Sequence, residues 1–170
     1  ITLNYKGEMI KNYLESIYKE YAVEYIWEDK FLGTSGGLKL LPDDMPDVFI
    51  VSNSDIILDI DYVDLLDFHY AKKNALTVVG SIQHHTLPYG VIHFEEEGKV
   101  HHIQEKPEYD ITINTGVYVL SKEVIKSIPV NSFFHMTDLM EKLIENNKNV
   151  GMYPISQKSY IDVGQWDQYK

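Results

Sequence analysis

Apolar positions along the chain follow two alternating rhythms, and the alternation predicts an α/β fold. Ile1-Thr2-Leu3-Asn4-Tyr5 reads as a short strand entered without a preceding cap or turn. From Met9 to Tyr21 the apolar residues Met9, Ile10, Tyr13, Leu14, Ile17, Tyr18 and Tyr21 keep a helical spacing. Ala22 to Trp27, rich in β-branched and aromatic residues, predicts a strand. Phe31 to Leu38 is a glycine-rich turn into a short helix that Pro42 ends. Val48-Phe49-Ile50-Val51 is a continuous apolar run before Ser52-Asn53-Ser54-Asp55, the pattern of a strand buried on both faces of a parallel sheet. Tyr62 to Lys73 is helical through Val63, Leu65, Leu66 and Phe68, and Ala75 to Ile82 is a further strand. Strand, helix, strand, helix, strand in this order points to right-handed crossovers.

The second half reads differently. Tyr89–Phe94 and Lys99–Gln104 flank Glu95-Glu96-Glu97-Gly98, which predicts a hairpin. Ile111 to Leu120 is a strand and Val124 to Ile128 a short helix. Thr137-Asp138 precedes a helix running to Asn146, and Val150–Ile155 and Tyr160–Val163 are closing strands. Without repeat, low-complexity segment or linker, residues 1–170 read as one mixed α/β domain. Its abrupt opening suggests that the beginning has been lost.

Composition changes this picture in one respect. An apolar fraction of 44% is ordinary for a globular chain, and the absence of cysteine excludes disulfides and thiolate metal sites. No apolar run approaches a membrane span and no signal peptide opens the chain, so a cytoplasmic protein is expected. The formal net charge is -11, and every one of the 15 basic residues is lysine. Such a chain lacks the cationic footprint of a nucleic-acid binder. It also lacks arginine, the usual bidentate phosphate clamp, so phosphate chemistry here would need a divalent metal or an arginine outside the chain.

Five places could carry chemistry. Asp55 follows an apolar strand, where open α/β sheets bind ligands, and a carboxylate there suits Mg²⁺; a turn or helix-cap aspartate is the plain alternative, and Asp59 and Asp61 compete nearby. Gly33-Thr34-Ser35-Gly36-Gly37 lets backbone approach a ligand closely and adds hydroxyl donors, although a strand-to-helix turn explains it equally well. Glu105-Lys106-Pro107 places a lysine at a sheet rim, either for a phosphate or as half of a surface pair. Asp162, in Tyr160-Ile161-Asp162-Val163-Gly164, could complete a metal site with Asp55 or merely begin a turn. Asn114-Thr115-Gly116 interrupts a strand, as ligand contacts and bulges both do. The paired histidines His84-His85 and His101-His102 lack zinc-site spacing and read as surface or core residues.

In this order the motifs Leu32-Gly33-Thr34-Ser35-Gly36-Gly37-Leu38, Ser52-Asn53-Ser54-Asp55, Tyr89-Gly90, Glu105-Lys106-Pro107, Asn114-Thr115-Gly116 and Asp162-Val163-Gly164 resemble the sugar-1-phosphate nucleotidyltransferases. The family includes mannose-1-phosphate guanylyltransferases and glucose-1-phosphate thymidylyltransferases. The resemblance covers nearly the whole chain. It is nearest a guanylyltransferase-like bacterial branch, often fused after cystathionine-β-synthase-type regulatory domains. It implies a Rossmann-like nucleotidyltransferase fold: a mixed, mostly parallel sheet flanked by helices. It implies Mg²⁺-dependent transfer of a nucleoside monophosphate from an NTP, GTP by branch, to a sugar 1-phosphate. Asp55, Lys106 and Asp162 would be catalytic, with Asp55 and Asp162 on the metal and Lys106 on the sugar phosphate. Gly33, Thr34, Ser35, Gly36 and Gly37 would hold the nucleobase. Tyr89, Gly90, Asn114, Thr115 and Gly116 would line the sugar pocket, with Glu105 on sugar hydroxyls.

Departures from the family pattern are Gln165 in place of a small hydroxyl residue and Asn53-Ser54 where many relatives have glycine. The family's opening strand and its triphosphate loop, with an arginine and a lysine, have no counterpart, so the chain alone is expected not to catalyse. Two other readings remain open: a nucleotide-sugar glycosyltransferase, and a non-catalytic nucleotide-binding module.

Overall fold

The computed structural model describes residues 1–18 and 20–164, so Gln165 lies outside the described residues. In chain order the elements are β1 (Thr2–Leu3), α1 (Gly7–Ile17), β2 (Ile26–Trp27), α2 (Gly33–Gly36), β3 (Val48–Ser52), β4 (Ile56–Leu58) and α3 (Tyr62–Lys72). There follow β5 (Leu76–Thr86), β6 (Val91–Phe94), β7 (Val100–Gln104), β8 (Glu108–Ser121), α4 (Met136–Glu145), β9 (Val150–Ser156) and β10 (Tyr160–Asp162). None of the described helices is long and apolar enough to cross a membrane.

The strands form a four-stranded sheet in the order β3-β8-β5-β9 and three two-stranded pairs. This corrects the expected architecture: the strand arrangement is mixed, and not mostly parallel. β1 and β2 run parallel, whereas β4 with β10 and β6 with β7 run antiparallel. Hydrophobic periodicity reports which face of a strand is buried, and carries no information on the direction of its neighbour. A second correction concerns β3. It is an edge strand and only half buried, with Ile50 exposed. Burial instead concentrates in the two central strands, at Leu76–Ser81 of β5 and Thr115–Leu120 of β8.

The chain divides into two compact units. The first comprises residues 1–51, 69–77 and 119–151. Its core includes Val119, Leu120, Val124, Met136, Leu139 and Leu143. Met136, Leu139 and Leu143 lie three or four residues apart and so share one face of α4, and burying each contributes about 1.5–3 kcal/mol. Helix α4 begins one residue earlier than Thr137, because Asp138 accepts the His135 N–H at 2.8 Å and Thr34 Oγ1 accepts the Met136 N–H at 2.8 Å. Together these bonds satisfy two of the helix's otherwise unpaired first-turn donors.

The second unit comprises residues 52–68, 78–118 and the segment from Met152 onward. Leu65, Val78, Val79, Val117 and Tyr118 are buried there. On the part of α3 in this unit Leu65 is buried, while Val63 is 65% exposed, so Val63 does not belong to the apolar face that spacing assigns it. The β6–β7 hairpin forms with Ile92 opposite Ile103, and Glu97 and Gly98 both take positive φ in its tip. Strands β5 and β8 run past their predicted ends through largely polar, exposed stretches, Gln83–Thr86 and Glu108–Asp110.

Candidate functional site

Strands β4 and β10 hold the two predicted metal carboxylates together. Their antiparallel register sets Asp162 opposite Ile56, the residue after Asp55. The ladder continues as the Val163 N–H donates to the Asp55 carbonyl at 2.9 Å. Asp162 Oδ1 accepts the Gly164 N–H at 2.9 Å, which turns the chain sharply at the strand end. A methyl group placed on Gly164 would stand 2.7 Å from Asp55 Oδ2 and 3.1 Å from Asp162 Oδ1. A single point is therefore within one atomic contact of both carboxylates, and glycine leaves that point open. Among the described residues no third histidine, aspartate or glutamate joins them in a metal-holding cluster.

Both carboxylates border a cavity of about 200 Å³, lined also by Asn53, Asn114, Thr115, Gly116, Tyr118 and Tyr160. Three of the predicted sugar-pocket residues thus share a cavity with the predicted metal pair. Asn114 is locked in place: its Nδ2 donates to Tyr118 Oη at 2.8 Å and its Oδ1 accepts the Gly116 N–H at 3.0 Å. Thr115 Oγ1 donates to the Val79 carbonyl at 2.9 Å. Burial raises the Tyr118 phenol above its ordinary pKa, against a smaller opposing effect of the Asn114 bond. Burial also raises that of Tyr160, and the neighbouring negative charges of Asp162 and Asp55 add to it. Both phenols therefore stay protonated at neutral pH.

Asn53, Tyr118 and Tyr160 carry no assignment from sequence reasoning. A signal exists for Tyr118, which is two and four residues from Gly116 and Asn114 on one strand and so shares their face. Tyr160 likewise stands two residues before Asp162.

The remaining predicted residues lie elsewhere. Tyr89 and Gly90 precede β6 and Glu105 and Lys106 follow β7, at the open end of the hairpin, where a Cβ on Gly90 would stand 3.1 Å from Glu105 Oε2. The Leu87 N–H donates to the Pro107 carbonyl at 3.0 Å and closes that end. Lys106 is exposed and takes a left-handed backbone with φ of 44°. The Gly33–Gly37 loop belongs to the first unit. The Ser35 and Gly36 N–H groups donate to the Phe134 carbonyl, as does the Ser35 hydroxyl, while Thr34 Oγ1 accepts from Met136. Gly33, with φ of 80°, would bring a Cβ to 2.6 Å from that same carbonyl oxygen. Close approach of the chain to itself accounts for this glycine, and the loop's hydroxyls are engaged internally. Of the paired histidines, His84 Nδ1 hydrogen-bonds Asp110 Oδ1 and both side chains are largely exposed.

Comparisons with known proteins bear on the family of the chain. Mannose-1-phosphate guanyltransferase of Pichia angusta is 32% identical over 97% of this chain and 47% of its own length. The UTP–glucose-1-phosphate uridylyltransferase of Synechocystis sp. is 30% identical over 82% of this chain and 38% of its own. The chain thus spans less than half the length of these curated relatives. Among solved structures, HddC from Yersinia pseudotuberculosis matches with a TM-score of 0.73 at 24% identity, covering 99% of this chain and 73% of that one. The same protein complexed with GMP-PN matches with a TM-score of 0.68 at 25% identity, covering 98% and 73%. Residues 1–170 match the family described as "Nucleotidyl transferase" along their whole length, and on this evidence the chain belongs to that family, as a homologue of the sugar-1-phosphate nucleotidyltransferases.

Proposed function

We propose that the protein containing this chain transfers a nucleoside monophosphate from an NTP, GTP foremost, to a sugar 1-phosphate and releases pyrophosphate. Residues 1–170 serve as one nucleotidyltransferase domain in this reading. The observation that carries it is the pair Asp55 and Asp162, whose carboxylates flank one open point beside a small polar cavity.

Mg²⁺ fits that donor set. It commonly takes one or two protein carboxylates and leaves its other positions to water and substrate phosphates. Bound there, it would supply charge neutralisation for the phosphates. The reaction needs little else from the protein besides binding and alignment, because a sugar phosphate oxygen is already anionic. Its attack on the α-phosphorus forms one P–O bond while the bond to pyrophosphate breaks. Asn114, held by Tyr118 and Gly116, presents a fixed amide to the sugar. Glu105 accepts sugar hydroxyls and Lys106 offsets the sugar phosphate. Gly33–Gly37 meets the nucleobase through backbone groups other than the Ser35 and Gly36 amides, which are occupied along with its hydroxyls. At a net charge of -11 and without arginine, the 170 residues alone are expected not to turn over.

The test is pyrophosphate release by the full-length gene product with each of four NTPs and a panel of sugar 1-phosphates. Turnover with GTP and mannose 1-phosphate that ceases in Asp55→Asn supports the reading. Nucleotide binding without pyrophosphate release from any pair would replace it with a regulatory module.

A further inference from the structure

We infer that Asn53 is a specificity-determining residue of the sugar site, its carboxamide hydrogen-bonding a hydroxyl group of the bound sugar. The inference rests on the nucleotidyltransferase reading of the cavity beside Asp55 and Asp162.

Asn53 stands where β3 ends, two residues before Asp55. Its backbone N–H donates to the Gly116 carbonyl at 3.0 Å, which ties it to β8. Its side chain lies against the Gly116 backbone. A Cβ on Gly116 would stand 2.5 Å from Asn53 Nδ2 and 3.0 Å from its Cγ. Gly116 therefore has two reasons to be glycine. Its φ is +81°, in the left-handed region, and any side chain would expel the Asn53 carboxamide from the cavity it helps line. Two sequence oddities, a glycine inside a strand and an asparagine ahead of an aspartate, explain one another.

Hydrogen-bond accounting leaves two neutral side-chain groups of the cavity for a ligand, this amide and the Tyr160 hydroxyl, and of the two only the amide lies against Gly116. Asn114 and Thr115 are already bonded within the protein, and Tyr118 accepts from Asn114. The Asn53 carboxamide makes no hydrogen bond to another described residue. A carboxamide offers both donors and an acceptor, and a sugar hydroxyl, itself donor and acceptor, matches it in either orientation. Asp55 and Asp162, being carboxylates, can only accept. As a neutral group Asn53 adds no charge against an anionic ligand. Its place on Gly116 and beside Asn114 puts it with the residues assigned to the sugar, and this favours the sugar over the nucleotide.

The experiment compares wild-type full-length protein with Asn53→Ala and Asn53→Leu. Steady-state kinetics would use the best NTP and sugar 1-phosphate pair, together with analogues of that sugar phosphate lacking one hydroxyl each. Removing one neutral hydrogen bond should raise KM for the sugar phosphate about three- to tenfold while KM for the NTP stays put. For one deoxy analogue, wild type and variants should then show equal KM, since the partner hydroxyl is already gone. Unchanged KM, an equal rise for the NTP, or the same loss with every analogue would overturn the inference. Calorimetric titration with mannose 1-phosphate runs in parallel. If wild type binds the sugar phosphate but releases no pyrophosphate, the nucleotidyltransferase reading fails. Asn53 is then judged by whether Asn53→Ala weakens that binding; equal affinity refutes it.

Discussion

Replacing Gly164 by alanine probes the proposed metal site with one methyl group. Gly164 does not take a positive φ, so alanine brings no backbone strain. Its N–H can still donate to Asp162 Oδ1. The new Cβ would stand 2.7 Å from Asp55 Oδ2, whereas carbon and oxygen ordinarily approach to about 3.3–3.6 Å. Asp55 must therefore turn aside, and Asp162 Oδ1, at 3.1 Å, yields less. Holding a side chain about 30° off its rotamer costs about 0.5–1.5 kcal/mol. If Asp55 must be forced back to meet the ion, that cost subtracts from metal affinity, about two- to tenfold. Both Gly164 and Asp55 are exposed, so fold stability should change by no more than about 0.5 kcal/mol. The assay is the Mg²⁺ dependence of pyrophosphate release by full-length protein, with Mn²⁺ binding followed by electron paramagnetic resonance. Half-saturation should move to higher metal concentration while the thermal midpoint holds. Unaltered half-saturation for both ions would refute the claim that the metal lies between Asp55 and Asp162.

Lys106→Ala should raise KM for the sugar phosphate far more than for the NTP, because a charge-assisted phosphate contact contributes about 1.5–3 kcal/mol; equal effects on the two substrates would contradict the assignment. His69 is buried, its Nδ1 at 2.9 Å from Thr77 Oγ1, and burial lowers its pKa below the usual 6.5. The unfolded chain then binds the proton first, so stability is full above about pH 6.5 and is lost as pH falls toward the folded-state value. Urea unfolding at pH 7.5 and pH 5.5 should show that loss, reduced in His69→Gln. Leu139 is fully buried while Ile144 on the same helix is 59% exposed. Leu139→Ala should therefore cost about 2–5 kcal/mol in chemical denaturation, and Ile144→Ala within about 0.5 kcal/mol.

Local pattern reached the element types because helix and strand periodicities are properties of neighbouring residues. The 62–73 helix, the hairpin around Glu95–Gly98 and the strands at 48–51 and 111–120 were all readable in this way. It missed β4, whose three residues are too few to show a period, and with it the partner of β10. It could not see that β3 is an edge strand, because an apolar run looks the same whichever sheet position it takes. The polar ends of β5 and β8 also escaped it, since both faces of a projecting strand meet water and no alternation results.

The sequence by itself determined which side chains were available: Asp55 and Asp162 at strand ends, Asn114-Thr115-Gly116 within a strand, lysine as the sole basic residue besides histidine. Their order was enough to point to the family. Tertiary structure decided which of them meet. The β4–β10 register brings Asp55 and Asp162, from distant parts of the chain, to either side of one point at Gly164. Pairing between the end of β3 and β8 lays Asn53 on Gly116. The Gly33–Gly37 loop, legible as a ligand cradle or a turn, turns out to clasp Phe134. Propensity acts over a few residues, whereas register and close backbone approach depend on the path of the whole chain, and only that path could set two carboxylates around a vacant glycine.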